Sequence, residues 1–224
     1  HDAGSTGLQF DMTVPDAKTG KLINMSPYAT WRSSPMGLAG RDPIFFAQLA
    51  SETQTFHPGD AAFVETTCLG CHGVLGQRQA QIDSHAATGE CAPFSREDVN
   101  AVPWPADNPQ AEHADYGALA RDGISCLSCH QMALGTAATE EQAGNARNAC
   151  VLDRQKTFNP GMTGLAKTFT GSYLVNDGKS LMGPFDDPRT WPMETAIGIS
   201  PHGDKTLNTS ELCGTCHTVH LPVL

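Results

Sequence analysis

Cys213-Gly-Thr-Cys-His-Thr-Val-His220 decides how this chain is read. Its first five residues form a Cys-x-x-Cys-His motif. The same pattern recurs at Cys68, Cys71 and His72, and again at Cys126, Cys129 and His130. This spacing is the attachment signal of c-type haem. Two thiols three residues apart each add to one vinyl group of the ring, and the histidine that follows is placed to bind the iron as proximal ligand. A single copy is also compatible with a zinc half-site or a redox dithiol. Three copies, each with His directly after the second Cys, point to three covalently bound haems.

The rest of the composition fits a chain organised around such groups. Of 224 residues, 39% are hydrophobic and 7% aromatic, while Gly and Pro number 22 and 15. That is a thin apolar inventory with heavy punctuation. Three large apolar plates, at about 75 residues each, take the place of much ordinary core. The expected fold is mainly α, with short helices, extensive ordered loop and little sheet, in one three-haem domain over 1–224. Without haem the polypeptide is expected not to fold. The net charge of −10 argues against nucleic acid, which needs clustered Lys and Arg. It suits cationic partners or simply a solvated surface.

Eight cysteines less six in motifs leave Cys91 and Cys150. Haem attachment of this kind takes place outside the cytoplasm, where spare thiols pair, so a Cys91–Cys150 disulfide spanning the second motif is expected. Two buried free thiols are the plainer alternative. No apolar run approaches the roughly 20 residues of a membrane helix. No leader is visible, so the expected form is a processed, exported protein starting at His1, in the periplasm or at the cell surface.

Taken in order, residues 1–26 read as extended and surface-lying. Ser33 to Gly37 reads as a turn cluster. Asp42-Pro43 starts a helix through Ile44, Phe45 and Leu49 to about Gln54. Asp60 caps a second helix, with Phe63 and Val64, that leads into the first motif. A polar helix over 77–88 carries His85. Pro93 to Pro109, with four prolines in all, reads as loop. Residues 110–121 read as helix, with His113 and Tyr116 on one side, and 137–149 have helical composition. Residues 157–192 read as irregular with a hairpin around Asn176-Asp177-Gly178.

Nine histidines less three proximal ones leave six to serve the other faces of the irons: His1, His57, His85, His113, His202 and His220. Three distal ligands suffice, so bis-His coordination needs no Met. His220 is too close to His217 to reach round the same ring; as a ligand it serves another haem and draws the two together. His202 lies in a Pro-His-Gly turn, and His1 is at a terminus. Among the methionines, Met36 and Met193 are placed better than Met132 to act as ligands, but packing is the expected role.

Gly40-Arg-Asp-Pro43, Cys68-Leu-Gly-Cys-His72 with Gly76, Tyr116-Gly-Ala-Leu-Ala-Arg-Asp-Gly-Ile-Ser-Cys126, Gly183-Pro-Phe-Asp186, Pro192-Met193, Pro201-His-Gly203 and Ser210-Glu-Leu-Cys-Gly-Thr-Cys-His217 followed by Leu221-Pro-Val223 together resemble the exported multihaem c-type cytochromes over about residues 40–224. The resemblance implies an electron carrier of a respiratory or extracellular chain, with other redox proteins as partners, and supports His202 as a working residue. One version is a homopolymer in which one subunit ligates its neighbour's haem, since heterologous contacts build open filaments. The competing class is a reductase or oxidase of a small nitrogen or sulfur compound, which needs one open iron position and nearby acid–base groups.

Overall fold

The structure is a computed structural model that describes residues 12–105 and 107–221. Helix accounts for 58% and strand for 9%, which makes the chain mainly α with little sheet, as its punctuation suggests. His1, the start of the expected extended segment and Pro222-Val223 lie outside the described residues. What is described of that segment is a hairpin: β1 (Thr13–Pro15) pairs antiparallel with β2 (Leu22–Asn24), largely exposed.

Three helix starts follow at eight-residue intervals, and one chemistry makes them. Ser26 caps α1 (Pro27–Arg32), Ser34 caps α2 (Pro35–Leu38) and Asp42 caps α3 (Pro43–Ser51). In each, the cap oxygen accepts an orphan backbone N–H and Pro takes the first helical position, where its missing donor is not needed. The turn expected at Ser33–Gly37 is therefore the cap and body of a one-turn helix. α3 runs on as a wider coil over Glu52–Phe56. α4 (Ala61–His72) begins after Asp60, whose side chain makes no capping bond, contrary to expectation.

α5 (Val74–Thr88) ends at left-handed Gly89, whose N–H bonds the His85 carbonyl. The Pro93–Pro109 loop contains a further turn of helix, α6 (Arg96–Val99). Its capping box, in which Ser95 and Asp98 each bond the other's backbone N–H, offsets the surrounding prolines. α7 (Ala114–Arg121) lies so close along α5 that a Cβ on Gly76 would collide with the Tyr116 carbonyl.

α8 (Cys126–His130) leads into β3 (Met132–Ala133), then α9 (Thr136–Gln142) and α10 (Ala149–Phe158). The expected hairpin at Asn176–Gly178 does not form. β4 (Leu174–Val175) turns back to pair with β3, and β5 (Ser180–Gly183) pairs in parallel with β6 (Ser200–Gly203), beyond α11 (Trp191–Ile197). The cause is Asn148, fully buried between α9 and α10: its amide donates to Gln142 O and Val175 O and its carbonyl accepts from Val175 N, so β4 is held away from β5. α12 (Ser210–His217) ends the described helices.

The apolar core is small and divided. One cluster gathers Leu49, Leu69, Phe94, Val99 and Ala120, a second Val74, Met132, Leu134, Tyr173 and Val175, and a third Ala133, Val151 and Leu174. Cysteines of the motifs complete them: Cys68 packs on the first, Cys129 and Cys216 on the second. Met132 is buried in the second cluster, whereas Met36 is half-exposed.

Cys91 and Cys150 form a disulfide, with S–S 2.07 Å and Cα–Cα 5.6 Å across 59 residues, tying the chain after α5 to α10. In the chain-entropy picture a closed loop of this length stabilises by about 4 kcal/mol. Replacing both cysteines by Ala is expected to lower the melting temperature of the folded protein by about 8–16 °C, read by circular dichroism. An unchanged melting temperature would show that the bridge constrains little.

Candidate functional site

α4, α8 and α12 share a feature that their different lengths conceal: each ends on the histidine of a Cys-x-x-Cys-His motif. On a helix, positions i, i+3 and i+4 share one face. Both thiols and the imidazole of each motif are thus presented on the same side of a helix end, beyond which the chain turns away.

The three ends meet through their second cysteines. Cys71 and Cys216 act on each other: the interaction pushes the Cys71 thiol up and holds the Cys216 thiol down. Cys129 packs on the same Tyr173 cluster as Cys216, and burial, with the nearby Cys216 and Cys213, pushes its thiol up to about 11. Burial also raises the Cys68 thiol. Cys126 and Cys213, the first cysteines of the other two motifs, are exposed. Gly171 makes room at the junction: its φ is +68°, its N–H bonds Thr215 O at 2.7 Å, and a Cβ there would stand 2.8 Å from Cys71 Sγ.

The histidines of the three motifs differ in their holding. His72 stacks on Phe45 with ring centres 3.7 Å apart and planes 2° from parallel. Its Nδ1 is buried with no hydrogen-bond partner, and burial lowers its pKa against the opposing Ala39 carbonyl, which favours the neutral, ligating imidazole. His130 Nδ1 donates to Met182 O at 2.5 Å, which leaves Nε2 as the free nitrogen. The β5–β6 pairing holds that carbonyl in place. His217 is exposed and has no hydrogen-bond partner among the described residues.

The remaining histidines sort by the same test. His113 Nδ1 donates to Asp98 Oδ1 at 2.5 Å, and Asp98 is itself fixed by Ser95 N and Oγ at 2.7 and 2.8 Å. Its Nε2 lies 3.6 Å from Glu112, which is exposed. His113 and Tyr116 do lie on one side, rings 6.1 Å apart. His220 Nδ1 donates to Asn159 Oδ1 at 3.2 Å; the Asn159 amide is oriented by donating to Lys167 O and Phe169 O. His220 also meets the Phe169 ring edge-on. An imidazole whose Nδ1–H is committed to an oxygen presents Nε2 as its acceptor, the arrangement that orients metal-binding histidines. His57 only faces Glu52 at 3.9 Å on the surface. His85 is half-buried on α5, and His202 is exposed on β6, opposite Met182; neither ring has a hydrogen-bond partner among the described residues.

Thiol pairs three residues apart, each followed by an imidazole at a helix end, are the donor set that covalently held haem needs. Asp98, Asn159, Gly171 and the Met182 carbonyl complete the site and escape sequence reading. Only Asp98 left a trace, as the fourth residue of Ser95-x-x-Asp98. No protein-family model matches the chain, and searches of curated proteins and of solved structures found no match. Among the described residues no helix is long and apolar enough to cross a membrane.

Proposed function

We propose that this chain is an electron-transfer protein of the multihaem cytochrome c kind, holding three haems and working in the periplasm or at the cell surface. The observation that carries the proposal is the meeting of the three motif helices, with Cys129 and Cys216 packed on the Tyr173 cluster and Cys71 beside Cys216. When bound, haem supplies a reversible one-electron iron couple. The chain's part is anchorage, ligation and exclusion of water. Cys68 and Cys71, Cys126 and Cys129, and Cys213 and Cys216 are the anchors. His72, His130 and His217 are the proximal ligands. Tyr173, 1% exposed, and the side chains around it keep water from the junction. Anchoring at one rigid point favours transfer among the groups held there, with other redox proteins as donor and acceptor.

Intact mass and pyridine haemochrome absorbance of the exported protein are expected to give three haems per chain; none would overturn the proposal. Low-temperature electron paramagnetic resonance with near-infrared magnetic circular dichroism, over a range of protein concentrations, then reads coordination. Low-spin signals for all three at every concentration support a self-contained carrier. A persistent high-spin signal would mean an open iron and favour a reductase or oxidase. High spin that turns low on concentration would mean that a neighbouring copy supplies a ligand, as in a filament.

A further inference from the structure

Arg78 and Ser128 carry buried polar groups that the chain leaves without a partner. Arg78, on α5, is 8% exposed, and Ser128, on α8, is 2% exposed. Arg78 Nη1 donates to Tyr173 O at 2.9 Å and Nη2 to Gly171 O at 3.4 Å, but its Nε has no acceptor, and the Ser128 hydroxyl has no hydrogen-bond partner. Both residues line one cavity of about 40 Å³, and Arg147 lines it with them. Arg147 Nη1 donates to Asn176 O at 3.0 Å and Nη2 to Gln131 Oε1 at 3.4 Å. Among the described residues no carboxylate lines this cavity. The acids on neighbouring turns are engaged elsewhere: Asp83 accepts from Gln79 and Tyr116, and Asp177 accepts from Lys179 N and Ser180 N. Arg154, on α10, is the contrast. It also makes no ion pair among the described residues, but each of its guanidinium nitrogens has a carbonyl acceptor, at Thr66, Thr67 or Thr170.

Two guanidinium charges beside one small space repel each other, and a charge withdrawn from water is costly unless an opposite charge offsets it. Burial, and then the neighbouring Arg78 charge, lowers the pKa of Arg147. Water in the cavity would accept the Arg78 Nε–H and meet the Ser128 hydroxyl, but it would leave both charges standing. An anion answers the donors and the charges together. The space limits its size. One water needs about 10–15 Å³, so the cavity has room for about three, which suits a halide, nitrite or nitrate and excludes a haem ring. Position separates it from the motif chemistry. On α8, Cys126, Cys129 and His130 share one face, and Ser128 lies on the other, so the cavity stands behind the thiols. Leu127, another of its walls, is 42% exposed, which opens the cavity to solvent.

We infer that Arg78, Ser128 and Arg147 form a binding site for a small, free monovalent anion of the chloride or nitrate class. The anion accepts from Arg78 Nε and Ser128 Oγ and offsets the two guanidinium charges. It thereby fastens α8 to α5 and to the turn that carries Arg147. None of these donors is a motif cysteine or histidine, so the site owes nothing to the electron-transfer reading and stands or falls apart from it.

The test uses the full exported chain and sodium bromide as the probe. Thermal melts are recorded as bromide replaces gluconate, which is too large for the cavity, at fixed ionic strength. The wild-type midpoint is expected to rise by about 5–10 °C at about a hundredfold excess of bromide over its dissociation constant. Arg78→Gln is expected to lose the rise. Ser128→Ala is expected to weaken it while leaving the midpoint in gluconate unchanged or higher, because an unpaired buried hydroxyl is removed; this variant carries the test if Arg78→Gln does not fold. Anomalous diffraction from crystals grown in bromide then locates the ion, expected within hydrogen-bond distance of Arg78 Nε and Ser128 Oγ. A wild-type midpoint indifferent to bromide would overturn the inference, even with a peak in the crystal, since that is binding at crystal concentration only. A rise that survives intact in both variants would place the bromide elsewhere and overturn it too. A water or a haem carboxylate oxygen found in the cavity would likewise refute a free anion.

Discussion

Produced in cells that lack haem-attachment enzymes, the chain is expected to show no cooperative thermal transition and little protection of its amides from hydrogen exchange. The three apolar clusters hold five, five and three fully buried residues, and the disulfide constrains only the middle of the chain. Large apolar side chains stand in the open: Phe185 is 75% exposed, Trp191 73% and Ile197 62%. Arg78 and Arg154 keep buried charge without an acidic partner, a cost the polypeptide does not repay alone. Burial of groups this few does not offset the ordering of a chain this long, at about 1–2 kcal/mol per residue of backbone. Coupling of folding to the bound group follows, as in small metal-dependent domains. Circular dichroism melts and exchange mass spectrometry of the haem-free chain make the comparison. A sharp, reversible melt without haem would mean that the side-chain clusters suffice, and that the attached groups decorate a fold they do not create.

Removing His113 or His220 is expected to turn one haem of three from low to high spin, whereas removing His57 or His85 changes none. The argument is the tautomer. Asp98 fixes the Nδ1–H of His113, and Asn159 fixes that of His220, so each ring is held in a set direction with Nε2 as its acceptor, that of His113 facing only the exposed Glu112. His57 rests against Glu52 at 3.9 Å, and His85 has no bond to aim its ring. His113→Ala and His220→Ala should therefore each convert about one third of the low-spin signal, an estimate that takes one distal ligand per iron. Asp98→Asn should weaken the His113 effect without abolishing it, because the amide carbonyl still accepts the Nδ1–H while the negative charge is lost. Low-temperature paramagnetic resonance reads each outcome. Unchanged spectra for both His113→Ala and His220→Ala, with conversion in the His57 or His85 variants, would reverse the ranking.

The proposed anchors were legible in the sequence because Cys-x-x-Cys-His is local: one helix end carries all five positions, and no tertiary contact is needed to recognise it. The mainly helical character and the Asp42 cap were legible for the same reason. What failed depended on distance along the chain. Asn176-Asp177-Gly178 has the residues of a hairpin, yet Asn148, 27 positions before Val175, takes β4 elsewhere. The prolines of 93–109 concealed α6, whose stability comes from its capping box and from Glu65, which accepts from Arg96 N at 2.9 Å and Arg96 Nε at 2.6 Å. Arg78 looks like any polar residue of α5; its acceptors, Gly171 and Tyr173, lie more than ninety residues away. The supply of spare histidines was countable, but which rings are aimed depends on Asp98 and Asn159, and composition carries no record of that.

On the proposed haem reading, the nearness of Cys71 and Cys216 gives the protein's manufacture a direction. In an oxidising compartment, two free thiols held this near each other are substrates for a disulfide-forming catalyst. A chain that closed around empty sites would risk fastening the first motif to the third, and neither could then accept its cargo. Loading has to precede closure, so the assembly enzymes must meet a chain still open. The weak core expected of the haem-free chain would then keep the window open long enough for all six thiols to be filled.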